Sequence, residues 1–184
     1  MRHLLAIAAL LASAATAPAA ALKNDGFETG DFGGWMFFGE GWRVSSYSKD
    51  SHRGMYGAVN DAWTNGMDGF RVVYQEVKAS AGKVYRAEVW HRTVCLESSE
   101  SFLEVQFLSR GGEILRQYQS EHVKGNREFA VLAIEKMVAP DHTERASIRG
   151  VVNVLTVPVV NTDYHIFDNF DFRVVTPADE RTGR

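Results

Sequence analysis

The chain has 184 residues, a formal net charge of −3 at pH 7 and hydrophobic residues at 45% of its positions. A chain of this length can bury one core without disulfides or metals as its main support, and no basic stripe marks it for nucleic acid. The single cysteine, Cys95, cannot pair within the chain, so we expect it to be a small buried apolar residue.

A secretion signal is predicted for residues 1–21. Met1-Arg2-His3 is a short basic segment, and Leu4 to Leu11 is an apolar one. Ala17-Pro18-Ala19 and Ala19-Ala20-Ala21 both supply the small residues that a signal peptidase requires. The apolar run is shorter than the roughly 20 residues of a bilayer-spanning helix, and no second run follows it. We therefore predict a secreted or periplasmic protein with no membrane span.

The rest of the chain reads as all-β. Apolar residues alternate with polar ones, glycines interrupt the chain often, and no stretch sustains helical spacing. Arg110-Gly111-Gly112-Glu113 predicts a hairpin, because glycine adopts the positive φ of tight turns, and Pro140-Asp141-His142-Thr143 predicts another turn. One sandwich domain is expected over residues 22–175, with a polar tail over 176–184. The predicted strands are Trp42–Tyr47, Met55–Val59, Phe70–Val77, Val84–Val94, Phe102–Leu108, Ile114–His122, Phe129–Ala133, Ala146–Val154 and His165–Val175.

Alternation along three of these strands separates a core face from an outer face, because side chains in a strand point to opposite sides with period two. The core sets are Tyr85, Ala87 and Val89; Leu103, Val105 and Phe107; and Ile148, Val152 and Val154. The opposite faces mix charges, amides and aromatics, which is typical of a surface that holds a sugar. Their members are Arg86, Glu88, Trp90 and Arg92; Phe102, Glu104, Gln106 and Leu108; and Ser147, Arg149, Val151 and Asn153.

Four landmarks follow one another in an order and spacing that a known family shares. They are Asn24-Asp25-Gly26-Phe27-Glu28 with Gly34-Trp35, His52-Arg53-Gly54-Met55-Tyr56, Ala81-Gly82-Lys83-Val84-Tyr85 with Val89-Trp90, and Ile166-Phe167-Asp168-Asn169-Phe170-Asp171-Phe172. In this pattern the chain resembles the calcium-containing jelly-roll carbohydrate-binding modules that accompany xylanases and glucanases. The resemblance covers about residues 22–175. It implies a two-sheet antiparallel jelly-roll β-sandwich of the galactose-binding-like type.

The resemblance also implies one structural Ca²⁺ that joins the opening strand, the loop before the third strand and the closing strand. Carboxylates mixed with backbone carbonyls suit this ion, which takes six to eight oxygen ligands. The alternative is that Glu28 and Asp168 are ordinary exposed acids, since the dense spacing of an EF-hand loop is absent. By position, the implied ligands are the carbonyls of Gly26 and Arg53 and the carboxylates of Glu28, Asp50 and Asp168.

A stacking aromatic is implied at Trp63, which follows the second landmark. A flat indole suits the apolar C–H face of a pyranose, although Trp63 could equally anchor its own loop. Trp90 is either a second platform or a cover for the groove floor, whereas Trp35 and Trp42 are assigned to packing. If their strands line one concave sheet, the planar polar groups available to a sugar are Arg92, Glu104, Gln106, Arg149 and Asn153.

The leading interpretation is a secreted, non-catalytic protein that recognises a polysaccharide or oligosaccharide through a groove on one sheet. A surface or assembly protein that uses the sandwich for protein contacts is the first alternative, favoured by the lack of an attached catalytic domain. A polysaccharide-active enzyme is the second. Against this second alternative, the histidines of the chain stand in no metal-binding spacing, and His91 falls on the core-facing register of its strand. Which glycan would be bound, and in what oligomeric state, does not follow from the sequence.

Overall fold

The computed structural model describes residues 21–64, 68–96, 98–156 and 163–176. The predicted signal, apart from Ala21, and residues 177–184 of the predicted tail lie outside these ranges. Within them the regular structure consists of eleven strands and no α-helix, so no helix there could cross a membrane. In chain order the strands are β1 (Met36–Phe38), β2 (Trp42–Ser45), β3 (Gly57–Asp61), β4 (Gly69–Lys78), β5 (Val84–Val94), β6 (Ser99–Leu108), β7 (Ile114–Gln119), β8 (Val123–Lys124), β9 (Arg127–Val138), β10 (Arg145–Val154) and β11 (Tyr164–Val174).

The strands form two antiparallel sheets. The front sheet has the order β1-β4-β10-β6-β7, with β8 pairing with β6, and the back sheet has the order β2-β3-β11-β5-β9. Neighbours in each sheet are mostly distant along the chain, as in a sandwich built from long crossover connections. The predicted all-β, two-sheet antiparallel sandwich is therefore confirmed.

The apolar core lies between the two sheets, as the alternation of the strands predicts. The predicted core sets on β5, β6 and β10 are all buried and belong to one cluster. One end of this core is closed by Phe27, Trp35 and Phe170, whose rings lie 4.7 to 6.2 Å apart. Trp35 is buried and Trp42 packs partly buried against the cluster, so their assignment to packing is confirmed.

Both predicted turns are present. Gly112 has φ +88°, and the Ser109 N–H donates to the Glu113 carbonyl at 2.9 Å across the hairpin. The Thr143 N–H donates to the Pro140 carbonyl at 3.3 Å. The two turns connect β6 to β7 and β9 to β10, both at the same end of the sandwich.

Two strands were not predicted, and one begins later than predicted. β1 is a short edge strand of three consecutive exposed apolar residues, so it carries no alternation, and β8 has only two residues. β3 begins at Gly57 rather than Met55. The N–H groups of Met55 and Tyr56 donate to the Glu28 carboxylate, which takes the place of a ladder partner.

Candidate functional site

A groove of about 280 Å³ lies on the outer face of the front sheet. Its floor is β6, in which all ten residues are buried, although the outer face of a sandwich strand usually meets solvent. Side chains from β1, β4, β7 and β10 stand around this floor. The groove is lined by Phe38, Phe70, Val72, Phe102, Glu104, Gln106, Gln117, Gln119, Arg149 and Val151.

Strand register divides the groove into an apolar row and a polar row. In the apolar row, Phe38 lies opposite Val72, Val72 opposite Val151, and Val151 opposite Phe102. In the adjacent row, Arg149 lies opposite Glu104, and Glu104 lies opposite Gln119. Neighbouring strands are about 4.8 Å apart, so each row runs across the strands for roughly 10 to 15 Å.

The apolar side of the groove, which includes Phe70 beside the apolar row, has exposed aromatic rings at its edge. Phe38 is 61% exposed and Phe70 is 56% exposed, values that leave both rings free to contact a ligand. Phe102 is buried at the floor, where its ring stacks on the His122 ring with centroids 4.0 Å apart. The outer rings are thus available, whereas the inner one supports the floor.

The polar row is organised around the buried carboxylate of Glu104. Its Oε1 accepts hydrogen bonds from Gln106 Nε2 at 2.8 Å and from Arg149 Nη1 at 2.6 Å. Its Oε2 accepts from Gln117 Nε2 at 2.7 Å and from Gln119 Nε2 at 2.8 Å. Two bonds to each oxygen use the hydrogen-bonding capacity of an ionised carboxylate.

A second carboxylate, Glu100, lies beside the groove on the same outer face. It accepts hydrogen bonds from Asn153 Nδ2 at 3.1 Å and meets His122 Nδ1 at 3.3 Å and Lys124 Nζ at 3.5 Å. Burial acts to raise the pKa of Glu100, but the bonds from Asn153 and His122 outweigh it and lower that pKa. Asn153 therefore shares the face of the groove residues without lining the groove.

The structure brings together only part of the predicted ligand set. Glu104, Gln106 and Arg149 meet in the groove, because β6 and β10 are neighbours in the front sheet. Trp90 and Arg92 belong to β5 in the back sheet, so the condition that these strands share one sheet fails for them.

Trp90 and Arg92 hold a loop against the back sheet. The Trp90 ring stacks on the His52 ring, with centroids 3.6 Å apart and planes 7° apart. Arg92 donates from Nη1 to the Lys49 carbonyl at 2.9 Å and forms an ion pair with Glu128. Both side chains thus contact the segment between Lys49 and His52, which gives them a packing role.

Trp63 lies in the loop after β3 and is 36% exposed. It is not among the residues that line the groove, and residues 65–67 beside it lie outside the described ranges. Its role as a stacking platform stays a prediction.

Five groove residues were missed by the sequence analysis. Gln117 and Gln119 alternate on β7 opposite Gln106 and Glu104, so the period-two pattern could have found them. Phe70 and Val72 alternate in the same way on the predicted strand Phe70–Val77, which is β4 in the structure. Phe38 carries no such signal, because its strand is short and uniformly apolar.

The predicted calcium ligands lie at another place, where the segment around Gly26 meets the start of β3 and the last strand. Asp168 Oδ2 accepts from the N–H groups of His52 and Arg53, at 2.8 and 3.1 Å. A Cβ on Gly26 would lie 3.3 Å from Asp168 Oδ1 and 3.7 Å from Glu28 Cγ, so these three residues are close neighbours. Asp50 differs, since its Oδ2 accepts from Ser45 at 2.7 Å and faces Arg43 at 3.6 Å.

The chemistry of this cluster suits a cation. Asp168 Oδ1 is buried and has no hydrogen-bond partner, which is costly for an oxygen that carries charge. Burial raises the pKa of Asp168 to about 6, and the negative charge of Glu28 adds to this, although three backbone N–H groups act in the opposite direction. Side chains alone do not complete a site: the described residues contain no group of three or more His, Cys, Asp or Glu placed for a metal ion. Any such site needs backbone carbonyls as well.

Two buried histidines lie behind the groove floor and serve the core. His165 bonds through Nδ1 to Ser101 Oγ at 2.7 Å and through Nε2 to Ser99 Oγ at 2.8 Å, and Ser101 also meets His91 Nε2 at 2.8 Å. Burial lowers the pKa of His165 to about 4 and that of His91 well below its usual value. The core-facing position predicted for His91 and the buried state predicted for Cys95 are both confirmed.

Solved structures share this fold, although no family model and no curated protein sequence matches the chain. TmCBM61 in complex with β-1,4-galactotriose is 25% identical, with a TM-score of 0.59, over 82% of this chain and 95% of that one. The CBM22-1 xylan-binding domain from Paenibacillus barcinonensis Xyn10C is 15% identical, with a TM-score of 0.59, over 88% of this chain and 99% of that one.

An enzyme also contains this fold. The enzymatically active domain of bacteriophage CBA120 tailspike protein 4 is 11% identical, with a TM-score of 0.63, over 83% of this chain but 21% of that one. The predicted resemblance to jelly-roll carbohydrate-binding modules is thus confirmed as a likeness of fold.

Proposed function

We propose that this chain is a non-catalytic carbohydrate-binding protein that holds a polysaccharide or oligosaccharide in the groove of the front sheet. The observation that carries the proposal is the pairing of an apolar row with a polar row along one groove. A pyranose ring presents apolar C–H faces and a rim of hydroxyls, so it matches such a surface. The two carbohydrate-binding modules of the same fold support the proposal by analogy.

The groove chemistry favours binding over hydrolysis. Glycoside hydrolysis commonly uses two carboxyl groups that flank the scissile bond, one of them as a proton donor. Among the described residues that line this groove, Glu104 is the one carboxylate, and four donors already occupy it. Glu104 is therefore poorly suited to act as a nucleophile or an acid, which supports a non-catalytic role.

The exposed phenylalanines of the groove provide the test. Phe38→Ala combined with Phe70→Ala should weaken glycan affinity about tenfold or more, because aromatic anchors carry much of the energy of such sites. Affinity electrophoresis on β-1,4-galactan, xylan, β-glucan and mannan measures the loss. Phe37→Ala is the matched control, since Phe37 precedes Phe38 on β1, faces the opposite side of that strand and packs on Phe32 instead of lining the groove.

The outcome separates the three candidate functions. Retention of at least one glycan by the native chain, lost in the double variant and kept in the control, is expected. A native chain retained by none of the four glycans would contradict the proposal and favour the surface or assembly protein. Release of reducing sugar from a retained glycan would instead identify an enzyme.

We further propose one structural Ca²⁺ at the cluster around Asp168. The carboxylates of Asp168 and Glu28 and the carbonyls of Gly26 and Arg53 would hold it. Asp50 is left out of this donor set, because its carboxylate already faces the positive Arg43 guanidinium at 3.6 Å, whereas Glu28 accepts from neutral backbone N–H groups. When bound, the ion would neutralise two neighbouring acids and tie the first loop to the last strand. The proposal is supported by the unpartnered Asp168 oxygen and by the close approach of Gly26.

A secreted or periplasmic location is part of the same proposal. It rests on the basic, apolar and small-residue segments of residues 1–21. Recovery of the mature chain from the medium or periplasm, beginning near residue 22, is the expected result. A chain retained in the cytoplasm with Met1 still attached would contradict it.

A further inference from the structure

The orientation of three amides in the groove is decided by Glu104. An ionised carboxylate only accepts hydrogen bonds, and an amide donates only through its nitrogen. The amide nitrogens of Gln106, Gln117 and Gln119 must therefore face Glu104, as their distances of 2.7 to 2.8 Å show. The hydrogen-bonding roles of the amide nitrogen and oxygen therefore fix the orientation of each carboxamide.

The amide oxygens consequently face away from Glu104. In a planar carboxamide the oxygen lies on the other side of the carbon from the nitrogen. Gln117 and Gln119 are exposed, so their oxygens are presented to whatever enters the groove. Each oxygen has one long contact of 3.4 Å, from Gln106 to Gln117 and between His122 and Gln119. A second lone pair on each oxygen remains to accept a hydrogen bond from a ligand.

Among the described residues that line the groove, no positive charge stands without a counter-charge. Glu104 and Arg149 are the only charged residues among the described ones that line it, and they pair at 2.6 Å. The Arg149 guanidinium lies over the Tyr74 ring, at 5.9 Å from its centroid. An entering carboxylate would meet amide oxygens and a neutralised arginine, whereas a hydroxyl could donate to those same oxygens.

We propose that Glu104 is a positioning residue that makes this groove select uncharged glycans and reject those built from uronic acids. The inference rests on the proposed function, because it concerns the ligand of the same groove. Glu104 acts through the amides that it orients and the arginine that it neutralises. The ligand itself is bound by the outward amide oxygens and by the exposed rings.

Glu104→Gln tests this role with little change of shape. The introduced amide has one acceptor oxygen and a donating nitrogen, so the surrounding amides cannot all keep their orientation. Arg149 also loses its counter-charge. Affinity for neutral glycans should fall about tenfold, and affinity for uronic-acid glycans should rise. The preference for neutral over charged glycans should therefore become smaller or reverse. A merely structural role would lower both affinities together.

Glu76→Gln is the matched control for this variant. Glu76 lies on the outer face of the same sheet, accepts from Arg145 Nη1 at 2.6 Å and does not line the groove. The same charge is removed from a carboxylate–arginine pair of the same kind. Neither affinity should change.

The probes are pairs of β-1,4-linked hexasaccharides that differ at C6 alone: mannohexaose with its mannuronate counterpart, and cellohexaose with its glucuronate counterpart. β-1,4-Galactotriose and xylohexaose serve as further neutral ligands. Calorimetry on the native chain should show neutral members bound about tenfold or more tightly than charged ones. Neutral binding should also be insensitive to salt, because no net charge is neutralised.

A second variant keeps the test decisive if Glu104→Gln fails to fold. Gln117→Leu combined with Gln119→Leu removes two exposed amide oxygens and leaves the Glu104–Arg149 pair in place. Affinity for neutral glycans should fall while the fold persists.

The possible failures are distinguishable. Equal binding of neutral and charged members by the native chain, or tighter binding of the charged ones, would overturn the role of Glu104 and leave carbohydrate binding standing. Equal loss of both in a folded Glu104→Gln protein, or full neutral affinity in the double leucine variant, would overturn it as well. A native chain that binds none of the probes would overturn the proposed function and this inference together.

Discussion

Two buried carboxylates in this protein have opposite surroundings. Glu104 in the front groove accepts four hydrogen bonds, two to each oxygen, from side chains of its own and neighbouring strands. Asp168 on β11 accepts backbone N–H groups on Oδ2, while its buried Oδ1 has no partner. The protein itself supplies hydrogen bonds to both oxygens of Glu104, whereas it leaves one oxygen of Asp168 without a partner. The first carboxylate therefore fits the proposed groove, and the second fits the proposed Ca²⁺ site.

The largest expected effect on stability follows from removing the Glu104 carboxylate. Glu104→Leu leaves four donors, among them the Arg149 guanidinium, without their shared acceptor. We expect a loss of about 3 kcal/mol in the free energy of unfolding, measured by urea denaturation.

Glu76→Leu is its control, because the Glu76–Arg145 pair is more exposed, and it should cost about 0.5 kcal/mol or less. Equal losses in the two variants would show that the Glu104 network adds nothing beyond a surface ion pair.

Acid should weaken the core that supports the groove floor. The pKa of His165 is lowered to about 4 in the folded protein by burial, against about 6.5 when unfolded. Between these values the unfolded chain binds more protons, so this stability is present above pH 6.5 and is lost as the pH falls toward 4. The loss should reach about 3 kcal/mol for His165, and His91 acts in the same direction.

The pH profile is best measured in an Asp168→Asn background, because the raised pKa of Asp168 has the opposite effect on stability. His142→Gln serves as the control, since His142 is exposed and should leave the profile unchanged. A constant free energy of unfolding between pH 6.5 and 5 would contradict the assignment.

Calcium should stabilise the native chain but not the Asp168→Asn variant, which lacks the carboxylate with the unpartnered oxygen. A ligand present at a hundredfold excess over its Kd adds about 2.7 kcal/mol to the free energy of unfolding. A chelator should therefore lower the Tm of the native chain, and Asp168→Asn should remove this sensitivity.

Asp50→Asn should keep the response to chelator, because its carboxylate is engaged by Ser45 and Arg43. If the melting curve of the native chain ignores both chelator and added calcium, the cation proposal is wrong.

The smallest effect is expected at the back sheet. Trp90→Ala removes the stack on His52 and should cost about 1 kcal/mol of stability, seen as a modest fall in Tm. Glycan affinity should not change, since Trp90 lies on the sheet opposite the groove. A strong loss of glycan retention in a folded Trp90→Ala protein would move the binding surface to the back sheet.

The predictions that the structure confirms were based on local sequence patterns. Alternation assigned the inward sides of β5, β6 and β10, and paired glycines marked the β6–β7 hairpin, because both depend on neighbouring residues alone. The bounds predicted for β5 agree with the structure. β1 escaped prediction, since three exposed apolar residues in a row lack alternation and its place at the edge depends on pairing with β4.

The amino-acid sequence by itself determined which side chains of β5, β6 and β10 point inward, where two tight turns lie and that His91 faces the core. Only the tertiary structure decided that β6 and β10 pair in one sheet while β5 joins the other. Glu104 and Arg149 therefore meet, and Trp90 faces away from them. The physical reason is that side-chain alternation is a local property with period two, whereas sheet membership depends on hydrogen bonds between strands that are far apart along the chain.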